Sequence, residues 1–315
     1  MEKKYAIGID LGGTSVKYAL IDNKGVFHFQ GRLPSKANVS ACAVTEQILS
    51  AINRVMDFVS ENELRVEGIG IGTPGIVDAA SRKVLGGAEN IKGWENIALA
   101  EIVENATGLQ TYVGNDANMM GLGESRFGAG KGFSDIVFIT VGTGIGGAVV
   151  IGGKLFGGYA NRGTELGHVP LMADGEKCAC GAIGCLEHYA SASALVRMFT
   201  AKAAEYGYDL AGQAVDGELI VRLYKENHPL AVDCLNLHCR YLGQGIAGFI
   251  NIFSPQRVVI GGGLADAGPF YIEKVSREAM RFAISDCAVN TRLVAASLGN
   301  RAGSLGAASL VFDRC

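Results

Sequence analysis

Residues 7–21 read IGIDLGGTSVKYALI, and residues 138–151 read FITVGTGIGGAVVI. Each stretch is an apolar run, a turn rich in Gly and Thr, and a second apolar run, which is the pattern of a β-hairpin. Their similarity suggests an internal duplication of one hairpin, although two unrelated glycine hairpins fit this feature equally well. Such a turn can hold phosphate, because successive backbone N–H groups form an anion-binding concavity and glycine allows close approach.

Alternating strand and helix patterns follow each hairpin. Short apolar runs bounded by turn residues predict strands, and apolar residues at helical spacing predict helices. After the first hairpin the patterns predict strands at 26–32, 68–72 and 110–113 and helices at 44–59 and 98–106. After the second hairpin they predict helices at 190–204 and 230–251, a strand at 257–260 and a last helix at 302–312. An α/β unit that occurs twice is the simplest interpretation.

Length and charge limit the classes of function. The chain has 315 residues, about twice the length of a common single domain, which favours two domains. Its formal charge of -3 comes from 28 basic and 31 acidic residues without a run of one sign. Neither a nucleic-acid groove nor a membrane surface is therefore indicated, and a small-molecule partner fits better.

No targeting or membrane segment is predicted. Asp10 interrupts the first apolar stretch too early for a signal peptide, and no apolar run is long enough to cross a bilayer. We therefore expect a cytoplasmic protein. Cysteines stay reduced in that compartment, so clustered cysteines indicate a metal or ordinary packing before they indicate disulfides.

The glycine-rich turns do not match the common dinucleotide and P-loop motifs in context. Residues 70–75 and 142–147 both fit G-x-G-x-x-G, but neither opens a helix whose N-terminus could hold a pyrophosphate. A nicotinamide cofactor is therefore disfavoured. A Walker A loop is missing too, because Lys131 is followed by Gly132 where Ser or Thr is needed to reach magnesium.

The two Gly/Thr turns could instead grip one nucleotide between them. Asp10, at the end of the first strand, would then suit a hydrated magnesium ion, which needs only one or two carboxylates. Taken alone, Asp10 fits an Asx turn better.

One histidine and three cysteines lie within a short span of the second half. His168, Cys178, Cys180 and Cys185 form a Cys3His set, which is typical of a closed structural zinc site. The alternative is a group of buried reduced thiols that happen to be neighbours. Because no ligand position remains for a water nucleophile, the predicted metal is structural and not catalytic.

Taken together, these motifs resemble those of the ROK family of sugar kinases and sugar-responsive repressors, over essentially the whole chain. The most specific parts are TELGH at 164–168 and CACGAIGCLE at 178–187. The supporting parts are DLGGTSVK (10–17), TVGTGIGGA (140–148), GTPG (72–75), ENIKGW (89–94), Asn115 with Asp116, and VVIGGG (258–263). The resemblance implies a two-lobed α/β fold of the actin and hexokinase type (ribonuclease H-like), with a zinc-binding loop.

The resemblance assigns roles to matching residues. Asp116 would be the general base. The sugar would be bound by Gly75, Asn90, Asn115, Asp116, Glu165, His168 and Glu187. ATP and Mg²⁺ would be bound by Asp10, Gly12, Gly13, Thr14, Lys17, Thr140, Gly142, Thr143, Gly144, Gly262 and Gly263. One departure is Thr164, where relatives usually have Gly.

Simpler interpretations exist for the key carboxylates. From the residues alone, Asp116 reads as the N-cap of a helix. Glu165 and Glu187 fit solvated surface charges equally well, although their placement on either side of the zinc ligands favours a shared pocket. The first alternative is compatible with a base, since a helix N-terminus favours the ionised carboxylate that proton abstraction requires.

The resulting prediction is an ATP-dependent hexose kinase with lobes at 1–118 and 119–300 and a C-terminal helix, 301–315, that returns to the first lobe. ATP and sugar would meet in the cleft. Glucose is the first choice of substrate, with N-acetylhexosamines, mannose and allose as alternatives. A sugar-responsive regulator is disfavoured because the phosphate turn begins at Asp10, which leaves no room for a helix-turn-helix domain; a catalytically inactive sugar sensor is disfavoured by the intact Asp116. By family resemblance we expect a homodimer.

Overall fold

The computed structural model describes residues 2–78, 80–208 and 214–314. Its strands are β1 (Tyr5–Leu11), β2 (Ser15–Asp22), β3 (Phe27–Pro34), β4 (Val66–Thr73), β5 (Ile76–Val77), β6 (Val84–Gly86), β7 (Thr111–Asn115), β8 (Ile136–Val141), β9 (Ile145–Ile151), β10 (Lys154–Phe156), β11 (Arg257–Gly261) and β12 (Arg292–Ala295). Its α-helices are α1 (Ala41–Glu61), α2 (Leu99–Thr107), α3 (Asp116–Phe127), α4 (Leu186–Ala190), α5 (Ala192–Glu205), α6 (Gly217–Lys225), α7 (Pro229–Phe253), α8 (Pro269–Phe282), α9 (Ser285–Ala288) and α10 (Ala302–Phe312).

Two five-stranded sheets share one strand order. The first runs β3-β2-β1-β4-β7, and the second runs β10-β9-β8-β11-β12. Numbered within its own sheet, each has the order 3-2-1-4-5. In both, the first, fourth and fifth strands pair in parallel, and the third strand pairs antiparallel with the second. The shared strand order supports the predicted duplication over the alternative of two unrelated hairpins, because the similarity extends beyond the hairpins to the whole sheet.

The chain divides into two compact units. The first contains 1–132, 148–164 and 297–315, and the second contains 133–147 and 165–296. The lobes predicted from the sequence, 1–118 with the helix 301–315 and 119–300, stay a prediction.

The core of the first unit lies on both faces of its sheet. Alternate residues of a strand face opposite sides, so Ile7 and Ile9 of β1 pack with α1, whereas Ala6 packs with α10. Helix α1 forms because its apolar residues recur at helical spacing and Ser40 Oγ caps it, accepting a hydrogen bond from the Ala43 N–H at 3.1 Å.

Helix α10 is buried nearly all round, and at several glycines it packs directly against backbone. A Cβ at Gly8 of β1 would lie 2.1 Å from the Ser304 carbonyl oxygen, and a Cβ at Gly70 of β4 would lie 1.8 Å from that of Ala307. Gly306 of α10 meets the backbone of α3 in the same way. Glycine is therefore required where this helix crosses the sheet and α3.

The second unit is organised around α7, which contacts α4, α5, α6 and α8. The sequence patterns predicted most of the regular elements, including α10 with the observed bounds, but they missed several short strands and helices as well as α6 and α8. Both carried a start signal: Asp216 caps α6, and Pro269 stands in the first turn of α8. Within the part of the chain that the structure describes, no helix combines the length and hydrophobicity needed to cross a membrane.

Candidate active site and metal centre

The parallel strands of the first unit end side by side. Asp10 at the end of β1 is in register with Gly72 of β4, and Gly72 is in register with Gly114 of β7. Asp116, the first residue of α3, follows directly after β7. Because parallel strands end at one edge of a sheet, two predicted functional carboxylates are brought to the same edge, which is where open α/β sheets bind ligands.

Asn115 and Asp116 begin helix α3, but their roles differ from the simplest sequence interpretation. Asn115 is the N-cap, and its Oδ1 accepts a hydrogen bond from the Asn118 N–H at 3.2 Å. Its Nδ2 donates to the Gly75 carbonyl oxygen at 3.1 Å. Asp116 stands in the first helical turn, where Oδ1 accepts from the Ala117 N–H at 2.9 Å. Asp116 is therefore not the cap, and the helix N-terminus favours its ionised form.

The loop after β4 packs around this position. Trp94 is 2% exposed, and its Nε1 donates to the Thr73 hydroxyl at 2.8 Å. A Cβ at Gly75, which has a φ of +93°, would lie 2.5 Å from the Gly86 carbonyl oxygen. Asn90 lies near the turn of the first hairpin, since a Cβ at Gly13 would be 3.0 Å from Asn90 Nδ2. The structure thus gathers the predicted sugar residues of the first unit at one end of the sheet.

The first glycine turn presents backbone to solvent beside Asp10. Gly12 donates its N–H to the Ser15 carbonyl oxygen at 2.9 Å, whereas Gly13 and Thr14 are exposed. Lys17 Nζ lies 3.2 Å from Asp10 Oδ2. Asp10 is 4% exposed and lies against α10, because a Cβ at Gly303 would be 2.6 Å from its carboxyl carbon.

The second glycine turn contacts a predicted sugar residue. Glu187 Oε2 accepts a hydrogen bond from the Ile145 N–H at 2.8 Å. A Cβ at Gly144 would lie 2.3 Å from that oxygen, whereas a Cβ at Gly142 would meet nothing within 4 Å. Neither glycine has a positive φ. A side chain at position 144 would therefore have to displace this carboxylate, although the backbone conformation there does not call for glycine.

A cavity of about 780 Å³ opens beside this turn in the second unit. Gly142, Thr143 and Gly263 line it, together with Val221 of α6 and Leu264. Thr140 and Gly261 lie next to each other in register at the ends of β8 and β11, and Gly262 follows with a φ of +88°. The sequence motifs indicated the glycines but not Val221, because α6 carries no motif of its own, nor Leu264, which lies just beyond the glycine motif at 258–263.

His168, Cys178, Cys180 and Cys185 converge at one point. Their ligand atoms all lie within 4.8 Å of one another. His168 Nδ1 is 3.7 Å from Cys178 Sγ, and Cys180 Sγ is 3.6 Å from Cys185 Sγ. Ligands about 2.0–2.3 Å from one tetrahedral ion would be separated by comparable distances, so this set fits zinc.

The metal-free thiols differ in acidity. A hydrogen bond to the Ala182 backbone lowers the pKa of Cys180, whereas burial raises the pKa of Cys185 to about 12. A zinc ion would therefore displace a proton from Cys185, because the thiolate is the ligand.

The segment before the metal ligands contains an unusual backbone position. Thr164 has a φ of +67°, a conformation that is strained for a β-branched residue. Its hydroxyl donates to the Gly163 carbonyl oxygen at 2.6 Å. This explains in physical terms why Gly suits the position better. Glu165 follows with an exposed side chain, and its carbonyl oxygen accepts the His168 N–H at 3.0 Å.

Comparison with known proteins agrees with this geometry. The sequence profile of the ROK family matches residues 6–314. A glucokinase of Streptomyces coelicolor is 34% identical over 98% of this chain and 97% of its own length. A putative xylose repressor of Caldicellulosiruptor sp. is 30% identical over 98% of this chain and 78% of its own length.

A solved structure has the same fold. The ROK family glucokinase from Streptomyces griseus, crystallised with glucose and AMPPNP, has a TM-score of 0.82 and 32% identity, covering 98% of this chain and 99% of that one. The predicted two-sheet α/β fold of sugar kinases is thereby confirmed. The chain belongs to the ROK family.

Proposed function

We propose that this protein is an ATP-dependent hexose kinase that phosphorylates glucose at its primary hydroxyl. The observation that carries the proposal is the position of Asp116 at the N-terminus of α3, beside an asparagine cap that also holds the Gly75 loop. The Streptomyces griseus relative, which binds glucose and an ATP analogue in its crystal structure, supports the same substrates here.

Asp116 would act as general base. Its ionised carboxylate accepts the proton of the sugar hydroxyl while that oxygen attacks the γ-phosphorus of ATP and the bond to ADP breaks. By the family resemblance, sugar hydroxyls would be held by Asn90, Asn115, Glu165, His168 and Glu187.

The cavity beside Gly142 and Thr143 would hold the nucleotide. Val221 and Leu264 offer apolar surface to the base, and the second glycine turn, where Thr143 is exposed, offers backbone N–H groups to phosphate. Magnesium neutralises charge on the transferring phosphoryl group when it is bound with ATP. Asp10 would hold it, because a carboxylate oxygen is the ligand type that this ion prefers.

The Cys3His cluster would hold one structural zinc. His168 turns Nδ1 toward Cys178, which leaves Nε2 free of the cluster and available to a sugar hydroxyl. Cytoplasmic location and a homodimer remain predictions from the sequence and the family.

The role of Asp116 is tested by Asp116→Asn. We expect kcat to fall by about 10²–10⁴, because the amide keeps the shape of the carboxylate but cannot accept the proton. Calorimetry should show glucose binding largely unchanged. Asp57→Asn, an exposed carboxylate on α1, is the matched control and should keep full activity. Turnover close to wild type in Asp116→Asn would show that the carboxylate has only a structural role.

The choice of sugar has one specific competitor. The small residues Gly86, Gly87 and Ala88 lie next to Gly75 and could leave room for an acetamido group, which favours an N-acetylhexosamine as the second candidate. A panel of hexoses and N-acetylhexosamines with MgATP should give the highest kcat/KM for glucose, because a pocket that pairs the second hydroxyl excludes a larger substituent. A higher kcat/KM for N-acetylglucosamine or N-acetylmannosamine would show that glucose is not the preferred substrate. It would leave the proposed kinase activity in place.

A further inference from the structure

A second cavity, of about 460 Å³, lies between helices α7 and α8 in the second unit. Four cationic side chains line it: Arg240 from α7 and Lys274, Arg277 and Arg281 from α8. Among the residues that the structure describes, Glu278 is the one acidic residue that lines it. It shares no residue with the cavity proposed for the nucleotide.

The acidic residue is already neutralised. Arg281 Nη1 lies 3.1 Å and 2.8 Å from the two carboxylate oxygens of Glu278. Lys274 Nζ donates to Asn236 Oδ1 at 2.9 Å and lies 5.3 Å from the centre of the Tyr224 ring. Across the described ranges, the guanidinium groups of Arg240 and Arg277 have neither a hydrogen-bond acceptor nor a carboxylate within ion-pair distance.

The remaining titratable group adds no negative charge. Cys239 is 1% exposed, and burial raises the pKa of its thiol to about 12, so it stays protonated at neutral pH. Arg240, Lys274 and Arg277 therefore face a concave surface without a free anion. These like charges repel one another. They form a local positive surface on a protein whose net charge is -3.

We infer that this cavity is a binding site for a small phosphate-bearing anion. Two free guanidinium groups present planar pairs of N–H donors that match phosphate oxygens, and Lys274 adds a point charge. The volume suits a small metabolite. None of the described residues that line the cavity is aromatic, so its lining does not favour stacking of a nucleobase. Inorganic phosphate and a phosphorylated sugar share the required chemistry.

The site is tested by calorimetry with inorganic phosphate and, separately, with glucose 6-phosphate. The full-length protein is first saturated with glucose and a non-hydrolysable ATP analogue, so that the proposed catalytic residues are occupied. We expect saturable binding that weakens with salt, and the double variant Arg240→Gln/Arg277→Gln should raise Kd at least about tenfold, since each guanidinium makes charge-assisted hydrogen bonds. Arg65→Gln/Arg292→Gln removes two exposed arginines elsewhere and should leave Kd unchanged.

The two probes separate the sources of the phosphate. Equal affinities would define a site for the phosphate group alone, and tighter binding of glucose 6-phosphate would add recognition of the sugar. Absence of saturable binding by both probes, or binding that survives in Arg240→Gln/Arg277→Gln, would overturn the inference. Kinase activity of the double variant without added phosphate should equal that of wild type, so the outcome is independent of the proposed function.

Discussion

At the scale of single residues, the second glycine turn shows that a backbone position can affect a side chain that is far away in the sequence but adjacent in space. The sequence motif predicted that Gly144 lets phosphate approach the backbone, so that its replacement would weaken ATP binding. In the structure, the place of its missing Cβ is next to the Glu187 carboxylate, which also accepts the Ile145 N–H. Gly144 therefore lies against Glu187, a residue that we propose binds the sugar.

Gly144→Ala should accordingly raise KM for the sugar. The new methyl group would displace the Glu187 carboxylate and break a hydrogen bond to a charged acceptor, an effect on the order of tenfold or more. Gly142→Ala is the matched control, because a Cβ there meets nothing and faces the proposed nucleotide cavity. Steady-state kinetics with both substrates varied will separate the effects. A change confined to KM for ATP in Gly144→Ala would argue against a sugar-binding Glu187.

At the scale of elements, two buried side chains form contacts between helices and loops that the sequence patterns did not predict. Glu124 of α3 is fully buried, and its carboxylate accepts N–H groups of Ala129, Ser297 and Leu298 at 2.8–2.9 Å. It thereby ties α3 to the segment that leads into α10. His238 of α7 is also fully buried, and its Nε2 lies 2.9 Å from the hydroxyl of Tyr271 on α8.

His238 should make stability depend on pH. Burial lowers the pKa of its imidazole to about 4, whereas an unfolded histidine titrates near about 6.5. Between these values the unfolded state binds more protons, so stability is fully present above about 6.5 and falls as pH falls toward 4. The loss is about 1.4 kcal/mol per pH unit across that interval.

Urea unfolding of wild type and His238→Gln at pH 7.5 and pH 5 measures this contribution. We expect wild type to lose more stability on acidification than the variant, because glutamine can pair with Tyr271 but does not titrate. Tyr271→Phe removes the same hydrogen bond while keeping the imidazole, so it should keep the wild-type dependence on pH. Equal slopes in wild type and His238→Gln would assign the acid sensitivity to other groups.

At the scale of the whole molecule, the Cys3His loop stands out because it has little regular structure of its own and is tied to α4 by the hydrogen bonds of Glu176 to His188 and Tyr189. Residues 169–185 contain no α-helix or named strand. A bound zinc would supply the stability that such a loop lacks, because binding to the folded ligand set contributes folding free energy directly.

We therefore expect about one zinc per chain and a lower Tm after chelation. Cys180→Ser should lose the metal and the stability together, whereas Cys42→Ser, a cysteine of α1 outside the cluster, should lose neither. Elemental analysis and thermal unfolding measure the two quantities. Suppose that protein freshly purified under reducing conditions contains no metal and keeps the same Tm. The cluster would then be a group of neighbouring thiols and not a zinc site.

Most of the strands and helices, the bounds of α10 and the members of the Cys3His cluster were predictable from the sequence alone. These depend on local periodicity and short spacing, which are visible within a few tens of residues. The contacts between residues far apart in the sequence became visible in the folded chain: Asn115 with the Gly75 loop, Gly144 with Glu187, and Arg240 with Arg277 in one cavity. Such contacts follow from the path of the chain and the packing of helices on sheets, and no local pattern of residues encodes them.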